Sequence, residues 1–179
     1  MRFVVPELTT ERLLLRPWRE SDADAAFAIY SRWEVARYLG ATPKAWTERS
    51  EADAAIARWN SFDGPLHGVW AVVPAGSSEP VGSMLLKLLP YSSGEVSPDT
   101  EVGWHLSPDV WGRGYATEAA HRVLEHAWSF DVPEVFAVTY PENAPSQAVC
   151  RRLAMTGLGP TDRYYGLTCE LFRVARPNS

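Results

Sequence analysis

The stretch Val110-Trp111-Gly112-Arg113-Gly114-Tyr115-Ala116-Thr117-Glu118-Ala119 constrains this chain more than any other. Before it runs a short apolar segment, Glu101-Val102-Gly103-Trp104-His105-Leu106, with the character of a strand. After it, Ala116, Ala119, Ala120, Val123, Leu124, Ala127 and Trp128 recur at the spacing of one helical face. A strand, a tight two-glycine loop and a helix start are therefore joined in that order. Such a corner directs free backbone N–H groups and the positive end of a helix dipole at one spot. An anion, above all a pyrophosphate, fits there. Glycine lets it approach the backbone with no Cβ in the way. The loop is not a dinucleotide fingerprint, because the third glycine and the acidic partner are missing. Nor is it a P-loop, because no Gly-Lys-Ser/Thr follows.

The rest of the chain places this corner in a mixed α/β fold. Residues 8–18 read as a first strand closed by Pro17. Ser21 reads as the cap of a helix that ends near Arg37–Gly40, and Thr47 or Ser50 opens a second helix ending by Asn60–Gly64. Gly68–Val73 and Val81–Leu89 are apolar runs joined closely enough for an antiparallel hairpin. Tyr91–Asp99, rich in Ser, Gly and Pro, reads as a loop, and the strand before the glycines begins at about Thr100. On the long helix, His121 and His126 fall on the solvent side. Val135–Tyr140 is a strand, Pro145 and Ser146 open a short helix through Leu153, and Leu167–Val174 is a closing strand. The expectation is a central, mostly antiparallel mixed sheet with helices on both faces, in the order strand, two helices, three strands, helix, strand, helix, two strands.

Composition narrows the function. The 179 residues, 46% of them apolar, suffice for one domain spanning 1–179. No apolar run approaches the ~18 residues of a spanning helix, and no signal-peptide pattern opens the chain, so a cytoplasmic protein without membrane contact is expected. A net charge of -5 argues against nucleic acid as a partner. Cys150 and Cys169 make neither a disulfide framework nor a metal site, and no histidine pair has metal spacing. No metal is expected.

Three motifs in order carry a resemblance: Thr10-Glu11-Arg12-Leu13-Leu14-Leu15-Arg16-Pro17, then Glu101-Val102-Gly103-Trp104 with the glycine loop, then Glu142-Asn143-Ala144-Pro145-Ser146 leading to Arg152-Leu153-Ala154-Met155. The chain resembles the GNAT acetyltransferase superfamily, in the branch of Rim-type ribosomal-protein N-terminal acetyltransferases. The family's acetyl-CoA loop, Gln/Arg-x-x-Gly-x-Gly/Ala, falls on Trp111, Gly112, Arg113, Gly114, Tyr115 and Ala116, with Trp111 replacing Gln or Arg. Ala154 stands where the family often has glycine. The resemblance implies that the backbone of 111–116, with Thr117, holds the CoA pyrophosphate. It further implies that Asn143 binds the pantetheine arm and that Ser146 lies near the thiol. The amine would attack acetyl-CoA directly, with no acyl-enzyme.

That chemistry needs an amine without its extra proton and a protonated leaving thiolate. Glu101 is the first candidate for general base, through a water; Ser146 is a candidate acid, with Tyr165 or Tyr164 as runner-up. An α-amine with a pKa near ~8 needs no strong base. Each residue also has a plain structural reading: Glu101 as a strand carboxylate, Asn143 as a turn residue, Ser146 as a helix cap. Trp33, Trp46 and Trp59 fall where the family walls its acceptor site, though core packing accounts for them equally simply. The acceptor stays open between a protein N-terminus and a small amine such as a polyamine, amino acid or antibiotic. A non-catalytic acyl-CoA-binding module is the reading from another class, and both monomer and homodimer remain open.

Overall fold

The computed structural model describes residues 4–178. One eight-stranded sheet organises them: β1 (Leu8–Thr9), β2 (Leu13–Pro17), β3 (Gly68–Pro74), β4 (Gly82–Pro90), β5 (Val96–Leu106), β6 (Glu134–Thr139), β7 (Thr156–Thr161) and β8 (Cys169–Ala175). Their spatial order is β1-β2-β3-β4-β5-β6-β8-β7. Every neighbouring pair is antiparallel except β5 and β6. That parallel pair is joined by α4 (Tyr115–Ser129), as a parallel connection requires. The remaining helices are α1 (Ala23–Tyr30), α2 (Trp33–Ala36), α3 (Ser50–Trp59) and α5 (Ala144–Arg152).

The expected fold class holds, with helices on both faces. On one face α4 lays Ala119, Ala120, Val123, Leu124 and Ala127 over Trp70, Met84, Leu86 and Val102. On the other, α1 and α3 cover Val69, Ala71 and Val73. The hairpin of β3 and β4 forms as read, with Trp70 opposite Met84.

Several local expectations change. The run 8–18 is two strands, because the Thr10 amide bonds the Leu13 carbonyl and turns the chain back on itself. Ser21 caps nothing: Asp22 accepts from the Arg19 amide, opening a 3-10 turn at Glu20–Asp22, and pairs with buried Arg16 at 2.7 Å. The helix expected to reach Arg37–Gly40 breaks at Arg32, whose ψ of 124° is extended, and resumes as α2. Within the expected loop 91–99, β5 already begins at Val96. A register shift between Leu88 and Pro90 accommodates the Pro and Ser residues that read as loop, which is how bulged strands tolerate proline. His126 is not solvent-facing but buried, bonded to the carbonyls of Pro65 and Leu66 and packed edge-on against Trp70.

The one structural consequence that matters most for function is the splay between β5 and β6. Only Glu101 and Phe136 pair in register. Beyond Glu101 the strands diverge, and the gap opens a cleft toward the start of α4.

Candidate active site

The glycine corner has the geometry its sequence demands. After β5 a 3-10 turn at Pro108–Val110 leads into Gly112 and Gly114, at φ 75° and 80°. Both sit in the left-handed region where a side chain is strained, so glycine is required at each. Nothing lies within 4 Å of a Cβ built on Gly112. The amides of residues 112–114 have no partner among the described residues, and the first turn of α4 adds further free N–H groups. Trp111 donates its indole N–H to the Leu106 carbonyl at 2.9 Å, pinning the loop to the end of β5. Glu118 in the same turn is spoken for: it accepts from the Thr10 hydroxyl, the Arg12 amide and the Arg12 guanidinium.

This corner opens into a cavity of about 1330 Å³ that runs along the splay to the far side of β5. Of the residues singled out from sequence, Glu101, Trp111, Gly112, Gly114, Tyr115, Ala116, Thr117, Asn143, Ser146 and Tyr165 all line it. Arg113 does not; its guanidinium turns back to the Asp109 carbonyl at 3.4 Å. Asn143 caps α5, its Oδ1 accepting from the Ser146 amide at 3.3 Å, so its side-chain N–H₂ is the part left for a ligand. Tyr164 is buried elsewhere, donating to Asp99 at 2.7 Å and stacked on Tyr91, which removes it as a candidate acid.

Glu101 is buried at the point where β5 and β6 last pair. Burial raises its pKa above the usual carboxylate range, against the opposing pull of Lys87 and the hydrogen bond from the Tyr165 hydroxyl. Tyr165 is itself held protonated by burial and by the Glu101 charge. In this hydrogen bond the phenol is the donor and the Glu101 carboxyl oxygen the acceptor. Tyr165 reaches this position from a turn in which its φ is 61°, a strained value for a non-glycine residue.

Further residues line the cavity, among them two of the tryptophans expected at the acceptor wall. His105 shares a strand face with Glu101; its Nδ1 bonds the Tyr30 hydroxyl at 3.0 Å, which also donates to Ser83 at 2.8 Å. Burial first, and Lys87 second, hold the imidazole down to about 4, so it is neutral at pH 7. The period-2 alternation of β5 carried the signal for His105. Trp46 and Trp59 line the cavity with Tyr30, the Tyr30 and Trp46 rings stacked at 4.7 Å. Trp33 does not line it and is 54% exposed. Thr139, on the β6 wall, buries a hydroxyl that has no partner among the described residues. Cys169 also lines the cavity, whereas Cys150 lies in the core under α4. Among the described residues no cluster could hold a metal ion.

The chain fits CoA on its own features. The free amides at residues 112–114 suit a pyrophosphate, the splay is an extended slot for a pantetheine arm, and the Thr139 hydroxyl and Asn143 amide offer polar partners along it.

Comparison with known proteins agrees. Residues 12–156 match the acetyltransferase (GNAT) domain, and the chain belongs to this family. It is an acetyl-CoA-dependent N-acetyltransferase by that membership. The uncharacterized N-acetyltransferase p20 of Bacillus licheniformis is 30% identical over 142 residues, covering 78% of this chain and 76% of that protein. A GNAT-family acetyltransferase from Bacillus anthracis superposes with a TM-score of 0.77 at 20% identity, over 95% of this chain and 98% of that one. Mycobacterium smegmatis RimJ in complex with CoA-disulfide superposes with a TM-score of 0.72 at 18% identity, over 97% and 88%. At these identities the two structures show a common fold.

Proposed function

We propose that the enzyme transfers acetyl directly from acetyl-CoA to a primary amine while both occupy the cavity. The observation that carries this reading is buried Glu101, hydrogen-bonded to Tyr165, at the mouth of the β5–β6 splay. In this reading the pyrophosphate rests on the backbone of Trp111–Ala116 with Thr117, and the Asn143 amide meets the pantetheine arm. The thioester then lies at the head of the splay. The acceptor amine enters from the side walled by Tyr30, Trp46 and Trp59. Glu101 takes the amine's proton, directly or through a water, as nitrogen attacks the thioester carbonyl. The tetrahedral intermediate collapses with loss of the CoA thiolate, which takes a proton from Ser146 or from solvent. Tyr165 is the weaker choice of acid, because its proton is already committed to Glu101. Holding both reactants in line supplies much of the rate.

The acceptor is a protein N-terminus or a small amine; the fold shared with RimJ supports the first, and the enclosed aromatic wall supports the second. Free-thiol release measured across peptides and small amines tests the transfer. Initial rates with both substrates varied should give intersecting double-reciprocal lines. Parallel lines would exclude the single ternary complex.

A further inference from the structure

The charges around the acceptor end are unevenly matched. Glu34 pairs with Arg32 at 3.3 Å. Glu101 is bonded to Tyr165. Arg37 lies 4.5 Å over the Tyr38 ring and donates to its hydroxyl. Glu142, with no ion pair among the described residues, stands on the exposed turn into α5, beside the end of the cavity proposed for the cofactor. Lys87 and Arg58 also line the cavity, and neither side chain has an ion pair or hydrogen bond among the described residues. Lys87 is half-buried on β4 directly across from Glu101, with its ammonium 5.1 Å from the centre of the Tyr165 ring.

Lys87 feels the Glu101 carboxylate across the strand pair but makes no hydrogen bond or ion pair with it, so its half-buried ammonium keeps its own donors for an anion on the ligand. It also makes the space beside Glu101 hostile to a second positive charge on the acceptor. Tyr30, Trp46 and Trp59, stacked on one wall, offer apolar faces for a flat body. We propose that the acceptor is an amine that also carries a carboxylate or comparable anionic group, seated on Lys87, with a flat or apolar body against the Tyr30–Trp46–Trp59 wall. This rests on Glu101 marking the point of attack. It selects amino-acid-like amines over polyamines and over peptides without a nearby acid.

The test is a set of amino acids, each supplied as the free acid and as its carboxamide, with spermidine and an aminophosphonate alongside. Thiol release gives kcat/KM for each. For the best acceptors the free acid should exceed its amide by at least about tenfold, as expected when a buried charge gains its partner. The comparison is conservative, since the amide's amine loses its proton more easily. An aminophosphonate that outperforms its matched acid would assign the Lys87 seat to phosphate-like groups rather than carboxylates; both uphold the anion. Lys87→Gln should bring the acid-to-amide ratio to within about twofold of one, and Lys87→Arg should keep it. The ratio within one variant cancels any effect on Glu101, and the wild-type ratio decides if the variant does not fold. Preference for amides or spermidine, or a ratio that survives Lys87→Gln, would overturn the anion seat while leaving acetyl transfer standing. Absence of thiol release with every acceptor, peptides included, would instead remove the transfer reading beneath it.

Discussion

The two halves of the cavity are made of different materials. The half proposed to hold the cofactor is backbone: two left-handed glycines, free amides and the first turn of α4, all within a few residues of sequence. The half proposed to take the acceptor is side chain: Glu101 from β5, Lys87 from β4, Tyr165 from the turn before β8, and aromatic rings from the α1–α3 region. A backbone site tolerates most side-chain changes but not a new Cβ or charge pointing inward. A side-chain site is sensitive to single atoms. On the proposed reading, the backbone half would serve the ligand common to the family, and the side-chain half could diverge without disturbing it.

The largest effect should fall in the side-chain half. Glu101→Gln keeps the shape and removes the base, so kcat should drop by about 10²–10⁴-fold. Calorimetric acetyl-CoA affinity should stay near wild type, because Glu101 lies past the pyrophosphate loop. The loss should be greatest at pH values where the acceptor amine is protonated. Equal loss of cofactor binding would erase the division between the halves.

Gly114→Asp probes the backbone half. At φ 80° the new residue is strained, and its carboxylate would face the phosphates beside the Arg12 guanidinium, 3.4 Å from the Cβ position. Acetyl-CoA should bind at least about tenfold more weakly, with the unfolding temperature changed by only a few degrees. Unchanged affinity would move the phosphates off this loop.

Tyr165→Phe sharpens the comparison within the acceptor half. The phenol's hydrogen bond favours the charged form of Glu101, so its loss raises the Glu101 pKa further. The base must be deprotonated to work, so the acidic limb of kcat/KM should move to higher pH by about one unit. If Tyr165 were instead the acid, kcat would fall at every pH and the limb would stay in place.

The same division explains what could be read from the sequence. Gly112, Gly114 and the α4 pattern are local, and local order dictates their backbone. The family resemblance, not the local pattern, singled out Glu101, whereas Pro145 and Ser146 announced α5. The partners of Glu101 were not legible, because Lys87 and Tyr165 arrive through strand register and a strained turn 64 residues away. Choosing between Tyr164 and Tyr165 needed that turn's geometry: adjacent residues point to different sites. The buried His126 was missed because a histidine at the edge of the apolar stripe reads as polar, and the acceptors that let it be buried come from the distant loop at Pro65 and Leu66.

Ala154 joins both kinds of information. It stands where the family often has glycine, and its φ is 57°. The Met155 amide bonds the Cys150 carbonyl across it, the closure of a helix that ends on a left-handed residue. Ala154→Gly should relieve that strain and stabilise the protein by about 1 kcal/mol in denaturant unfolding, without altering kcat. A loss of stability would mean that the extra freedom of glycine in the unfolded chain outweighs the strain.

The smallest effect expected is at Cys169, the one described thiol that lines the cavity. Its position near Glu101 makes it the only rival to direct transfer, since Cys150 is buried under α4 with its pKa pushed up to about 12. Burial first, then the charges of Glu101 and Glu170, push the Cys169 thiol up to about 11. At pH 7 the thiolate, the form that attacks a thioester, is therefore scarce. The neighbouring carboxylate repels the thiolate it would have to create, and the thiol points its proton at the Thr161 carbonyl, 3.7 Å away. Cys169→Ala should therefore leave kcat within about twofold of wild type, because direct transfer makes no bond to this thiol. Intact-protein mass spectrometry after mixing wild type with acetyl-CoA alone should show no acetyl adduct. An acetylated Cys169 that discharges when amine is added would place a covalent step in the acceptor half and overturn the ternary-complex mechanism.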